Sequence, residues 1–245
     1  MYGRISVVVP VFNSEGSIGE LYHRLSSVLA CIADEYEIIM VDDGSTDNSL
    51  IEMHKLHAEE RALRIICLDG NFGQQNAVMC GLRHTTGDYV ITIDDDLQNP
   101  PEEIPRLLEK LEEGVDVVYG IPAVKKQSGV RKLGTAMTDL LFNIICSKPK
   151  TVKVSSFRGL KRHMVEKISA DHTSFVYITA ITLKHTRNIG NVRVEHEDRK
   201  YGSSNYSIYK LVKLFCRLFL NYSWPALEKY SARSPQYIIK DTGDS

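Results

Sequence analysis

The stretch TTGDYVITIDDDLQNPPEEIP, residues 85–105, reads as a buried strand that stops at three carboxylates and turns into a helix. Tyr89–Ile93 is short, apolar and β-branched, as a strand covered on both faces would be. Asp94-Asp95-Asp96 ends it. Pro101 suits a first helical turn, and Ile104, Leu107, Leu108 and Leu111 then recur at helical spacing. Three adjacent carboxylates repel, which raises their pKa values or recruits a cation. Their hard oxygens suit Mg²⁺ or Mn²⁺, and the neutral oxygen of Gln98 stands two residues on. A solvated acidic turn would explain the charges but not their place at a strand's end.

Working outward, the same alternation of periods repeats. Ile5–Val11 is an apolar run followed by Asn13-Ser14-Glu15-Gly16. Ser17 and Glu20 form a capping-box pattern ahead of a helical stripe through Leu21, Leu25, Val28, Leu29 and Ile32. Glu37–Val41 is a second strand, ending in Asp42-Asp43-Gly44-Ser45, with a helix through Leu50, Met53 and Leu56 after it. Leu63–Leu68 is a third, followed by Asn71-Phe72-Gly73-Gln74 and a helix from Gln74; Val115–Tyr119 is the fifth. Strands joined by helical crossovers make a mostly parallel central sheet flanked by helices, an α/β fold. Ligands in such sheets bind beyond the carboxyl ends of the strands, where this chain gathers its polar residues. A carboxylate of the Asp42-Asp43 pair can accept from a base imide or a ribose hydroxyl. Gly73 can turn backbone N–H groups toward a nucleotide with Gln74 beside it.

Past Gly120 the rhythm loosens. Lys125–Gly129 reads as a flexible loop, a helix follows through Val130–Ile144, and Ser155–Leu160 and Val192–Glu195 read as strands. Leu211–Leu220 is apolar but interrupted by Lys213 and Arg217, so it reads as an amphipathic helix rather than a membrane span. The last fifteen or so residues are polar and expected to be loose. One domain to about residue 210 and a segment 211–245, helix plus tail, is the expected organisation. Arg131, Arg158 and Arg199 supply cations of the kind an anionic leaving group or acceptor needs.

Composition removes several classes. Thirty basic and 31 acidic residues, with pI about 6.7, argue against a nucleic-acid binder. Five scattered cysteines without a C-x-x-C argue against disulfides and zinc, and fit a cytoplasmic setting. No G-x-G-x-x-G, Walker lysine, G-x-S-x-G or H-E-x-x-H pattern occurs.

The runs VVVPVFNSEGSI, YEIIMVDDGSTDNS, NFGQQNAVMCGL, TTGDYVITIDDDLQNPPEEIP and RKYGSSNYS resemble glycosyltransferase family 2, the nucleotide-diphospho-sugar transferases of GT-A fold. Within it the chain is similar to polyprenyl-phosphate sugar transferases such as dolichyl-phosphate mannose synthase and undecaprenyl-phosphate 4-deoxy-4-formamido-L-arabinose transferase. The resemblance implies an inverting, hexosyltransferase-like enzyme that moves a sugar from a nucleoside-diphosphate sugar, a UDP-sugar by kinship, to a polyprenyl phosphate. Pro10, Val11, Asn13, Glu15, Asp42, Asp43, Gly73, Gln74, Asp94 and Asp95 would line the nucleotide. Asp94 and Asp96 would be the D-x-D motif and, with Gln98, hold Mg²⁺ or Mn²⁺. Asp96, Arg131 and Arg199 would act on the departing diphosphate, while Arg158 and Ser204 face donor or acceptor phosphate. Peripheral contact with the inner face of the cytoplasmic membrane through 206–224, and oligomer formation, are compatible with it. The subfamily's lysine after G-x-S is Asn205 here.

Two rival readings remain at this point. A sugar-hydroxyl (glycan) acceptor would need a carboxylate base, and Ser169–Leu183 offers Asp171 alone. A non-catalytic sugar-nucleotide-binding protein is the other.

Overall fold

The computed structural model describes residues 1–123, 148–173, 175–198, 222 and 236–242. In order these are β1 (Tyr2–Val11), α1 (Ile18–Ile32), β2 (Ala33–Asp42), α2 (Ser49–Glu59), β3 (Leu63–Leu68), α3 (Gln74–His84), β4 (Tyr89–Thr92), a 3₁₀ turn (Pro101–Glu103), α4 (Ile104–Glu112), β5 (Val117–Pro122), β6 (Arg158–Lys161), α5 (Arg162–Ser169), α6 (Ile178–His185), β7 (Ile189–Val194) and β8 (Ile239–Thr242). One eight-stranded sheet has the order β7-β5-β6-β4-β1-β2-β3-β8. Parallel pairs join β1 to β2 and β4, β2 to β3, and β5 to β7. Antiparallel pairs join β6 to β4 and β5, and β8 to β3.

Alternate residues of β1 explain the layering. Val7, Val9 and Val11 pack with Leu21, Tyr22, Leu25 and Leu29 of α1 and Leu107, Leu108 and Leu111 of α4. Val8 faces the other way, onto Val78, Met79 and Leu82 of α3 and Met164 and Ile168 of α5. Burying each such side chain stabilises by roughly 1.5–3 kcal/mol, and covering both faces requires the continuous apolar runs seen in the sequence.

Register brings the strand tips together: Val11 pairs with Asp42 on one side, and Val8 with Thr92, two residues before Asp94, on the other. At the opposite end of the sheet a polar knot closes. The buried Glu37 carboxylate accepts from Ser6 Oγ (2.6 Å) and from Thr86 N and Oγ1 (2.7 and 2.6 Å), with Arg64 Nη1 at 3.4 Å.

Three expectations change. The Ser17–Glu20 capping box does not form: Ser17 is already in helical dihedrals and its hydroxyl donates back to Ser14 O (3.2 Å). The sheet is more mixed than expected, because β6 enters antiparallel between β4 and β5. The tail is not all loose, since β8 completes the same sheet along β3, with Asp69 N donating to Ile238 O (2.8 Å). Lys125–Gly129, Arg131, Arg199, Ser204, Asn205 and, except for Tyr222, 206–224 lie outside the described residues. Among the described residues no helix is long and apolar enough to cross a membrane.

Candidate active site

A cavity of about 460 Å³ opens beyond the tips of β1, β2 and β4. Pro10, Val11 and Phe12 wall it from β1. Asp43, Asn71, Gly73 and Gln74 come from the next two crossovers, and Asp94, Asp95 and Asp96 from the end of β4. That volume is in the range of small-molecule pockets.

The three carboxylates do different things. Asp94 accepts from Gln74 Nε2 on Oδ1 (2.6 Å) and from Ser156 Oγ on Oδ2 (2.5 Å), so α3 and the residues before β6 fix its rotamer. Asp95 turns back and accepts from Ser14 Oγ (2.5 Å) and Phe12 N (3.1 Å), tying the β4 tip to the β1 loop. Burial pushes its pKa up to about 6 despite those two bonds, and the charges of Asp94 and Asp96 add to the rise. Asp96 Oδ1 accepts from Gln98 N (3.1 Å). Between them Leu97, 1% exposed, sits at φ +60. That left-handed conformation costs a non-glycine residue roughly 1–2 kcal/mol. Gln98 joins the site through its backbone, its carbonyl accepting from Glu197 N (2.9 Å).

Several residues expected to touch nucleotide make hydrogen bonds that brace the loops. Asn13, at φ +52, accepts from Thr46 N with Oδ1 (2.8 Å); Glu15 Oε2 accepts from Asn48 N (2.9 Å). Asp42 receives Ser45 N (3.3 Å). Short polar side chains at a strand end satisfy the nearest orphan amides first. Asp43 lines the cavity, but its carboxylate accepts from Phe72 N (2.7 Å) and Gly73 N (2.9 Å), and burial raises its pKa. The Gly73 N–H therefore points at Asp43. Gly73 is at φ +92, which lets the loop turn into α3.

Arg158 is 2% exposed, not part of an exposed clamp. It pairs with Thr92 across β4 and Tyr119 across β5. Its guanidinium lies 5.7 Å from the Tyr119 ring centroid, Nε donates to Ser156 O (3.3 Å), and Nη1 is buried without a hydrogen-bond partner among the described residues. Asp171 stands elsewhere. Arg83, in the last turn of α3, donates to its carbonyl (2.9 Å), whereas the site meets the first turn at Gln74. Those turns are separated by about 13 Å of helix. The Asp171 carboxylate is 9% exposed and bound to Thr173 N, Thr173 Oγ1 and Lys184 Nζ (3.0 Å). Burial alone would raise its pKa, but these partners bring it below the usual carboxylate value. A paired carboxylate at the far end of α3 is not placed to be a base at this cavity.

Residues 6–169, about two thirds of the chain, match the description of "Glycosyl transferase family 2". The chain belongs to that family. Its fold is GT-A, as in solved structures of glucosyl-3-phosphoglycerate synthase from Mycobacterium tuberculosis. The complex with Mn²⁺, UDP and phosphoglyceric acid has TM-score 0.67 and 21% identity over 88% of this chain and 76% of that one. The complex with Mn²⁺, UDP-glucose and phosphoglyceric acid gives 0.67 and 20% over 88% and 77%. The complex with UDP gives 0.63 and 21% over 92% and 80%.

Within this family 2 chain, three contributors had no assigned role in the sequence reading. Phe12, 45% exposed, stands beside the acidic tips, and an aromatic left uncovered just past a buried strand was a visible cue. Ser14 and Ser156 reach Asp95 and Asp94 through strand register, for which the sequence carries no local signal.

Proposed function

We propose that this protein is a divalent-metal-dependent, inverting glycosyltransferase moving a sugar from a UDP-sugar to a polyprenyl phosphate in cell-envelope or polysaccharide synthesis. The observation that carries this reading is the pair Asp94 and Asp96 on the rim of a nucleotide-sized cavity.

The donor set fits Mg²⁺ or Mn²⁺. Among the described residues no three His, Cys, Asp or Glu side chains form a ready cage. Such cations typically take one or two carboxylates and complete their shell with diphosphate oxygens and water. Asp94 and Asp96 would hold the ion; Gln74 and Ser156 aim Asp94, and Gln98 N aims Asp96. When bound, the ion supplies positive charge against the departing diphosphate. Phe12 offers an aromatic face to the base, and Asp43 holds the Phe72–Gly73 backbone that closes the pocket. Arg131, Arg199 and Ser204 are proposed for the phosphates, and 206–224 for the membrane surface.

An ionised lipid phosphate needs no base, which suits a site where Asp171 is distant and paired. A second reading draws on the phosphoglyceric acid in the similar structures, and takes a small phosphorylated acid as acceptor. UDP release from UDP-sugars should require Mn²⁺ or Mg²⁺ and fall at least about 100-fold in the Asp94→Asn/Asp96→Asn variant, as when charge stabilisation at a leaving group is removed. Unchanged turnover and UDP affinity in that variant would reject the metal site. Product with undecaprenyl phosphate supports the lipid reading, and product with phosphoglyceric acid alone replaces it with the second.

A further inference from the structure

The loop carrying Asp94, Asp96 and Gln98 passes through Leu97 at φ +60, with its side chain buried. A leucine does not hold that conformation by itself; its surroundings must over-determine it. Three attachments do so. Asp95 is tied to Ser14 and Phe12, Gln98 O accepts from Glu197 N, and the loop's exit runs through the 3₁₀ turn containing Glu102. One side chain spans the last two. Arg24 of α1 forks onto Glu102 (Nε–Oε1 3.0 Å, Nη2–Oε2 2.7 Å), and Nη2 also reaches Glu197 Oε1 (2.9 Å). Nη1 lies 3.5 Å from Glu20.

We propose that Arg24 is a positioning residue for the metal-holding loop, clamping Glu102 and Glu197 so that the strained Leu97 turn presents Asp96 in its ligating orientation. The inference rests on the reading of Asp94 and Asp96 as metal ligands. An isolated surface ion pair would contribute little, but here three carboxylates converge on one guanidinium, 22% exposed. Removing it leaves Glu20, Glu102 and Glu197 repelling one another on both sides of the loop. The global core, built from β1, α1 and α4, does not depend on it. The loss therefore falls on loop order and on the affinity of the site for its ion.

The test compares wild type with Arg24→Met, Arg24→Lys and Glu197→Gln. Mn²⁺ binding in the presence of UDP is followed through the paramagnetic resonance of free Mn²⁺, alongside metal-free UDP affinity and melting temperature. Arg24→Met should bind Mn²⁺ about tenfold more weakly, the scale on which groups that orient metal ligands act. Melting temperature and metal-free UDP affinity should stay close to wild type. Arg24→Lys should recover part of the loss, because a lysine keeps the charge but not the fork, and Glu197→Gln should show a smaller defect. If Arg24→Met does not fold, Arg24→Lys and Glu197→Gln carry the same criteria. Mn²⁺ affinity within about twofold of wild type in the folded variants overturns the clamp alone, well short of what orienting groups cost. Parallel loss of Mn²⁺ affinity, metal-free UDP affinity and melting temperature also overturns it, as general loosening. Absence of Mn²⁺ binding by wild type with UDP overturns the metal site and the clamp together.

Discussion

Replacing Gly81 with alanine should destabilise the protein, against the ordinary preference of helices. Gly81 lies inside α3, where Gly→Ala normally stabilises by roughly 0.5–1 kcal/mol. Here an added Cβ would stand 2.3 Å from Val8 Cγ1, 3.3 Å from Val8 Cγ2 and 3.2 Å from Val41 Cγ2. Carbon atoms at rest keep about 3.5–4.0 Å, so helix and sheet would have to separate by a large part of an ångström. Overpacking of this kind costs about 1–3 kcal/mol, leaving a net loss of about 1–2 kcal/mol. For a chain of 245 residues that lowers the melting temperature by roughly 2–8 °C. Thermal and urea unfolding would measure it, and Val8→Ala supplies the control. Truncating Val8 removes the atoms in conflict, so the double variant should be about 1 kcal/mol or more better than the two single losses added. A rise in melting temperature for Gly81→Ala, or simple additivity in the double variant, refutes the close approach of α3 to β1.

Gly44→Ala should lower UDP affinity and cost about 2–5 kcal/mol, summing left-handed strain and overpacking. Gly44 is at φ +72, and its Cβ would meet backbone atoms, Gly70 C at 2.6 Å and Asn71 N at 2.9 Å, beneath the cavity-lining loop. Gly114→Ala, strained at φ +105 but with open space around it, should cost stability and leave UDP-induced thermal shifts unchanged. Burial pushes the Glu37 pKa up, but the bonds from Ser6 and Thr86 outweigh it, so the folded value lies below the ordinary 4.5. That stabilisation is full above 4.5 and is lost as pH falls through the folded value. Melting temperature should therefore drop more steeply below pH 4.5 in wild type than in Glu37→Gln, and equal slopes would reject the assignment. Asp171→Asn should leave turnover with either acceptor class within about twofold while costing about 1 kcal/mol of stability; a collapse in turnover would restore Asp171 as a base.

The strands whose two faces are both covered announce themselves, because Val7–Val11 and Ile38–Val41 must be apolar at every position. The acidic tip of β4 was equally plain, since nothing in a core asks for three consecutive carboxylates. β8 was hidden for the opposite reason: its side chains stay largely exposed, its pairing is with one neighbour's backbone, and Ile239-Lys240-Asp241-Thr242 carries no apolar alternation. The direction of β6 could not be read either, because direction depends on a crossover rather than on local composition. Within the site, the loops that line the cavity were legible in the sequence, while the bonds their side chains make came from the structure. Asn13, Glu15 and Asp42 are attractive ligands by type, and each also bonds a backbone amide between Ser45 and Asn48, which residue type alone does not reveal.

Strand β8 also has a temporal meaning. Until it arrives, the hydrogen-bonding edge of Ile66, Cys67 and Leu68 has no neighbour on that side, and such an edge invites pairing with another chain. Translation must proceed from residue 68 to residue 239 before the cover exists, an interval of about 10–30 s at typical elongation rates of ~5–20 residues per second. The nascent chain thus passes through a sticky adolescence whose length is set by where four modest residues fall in the message, and release late in it, after the cavity-lining residues and Glu197 have been made, would yield a protein with its strand-tip cavity and an unguarded flank.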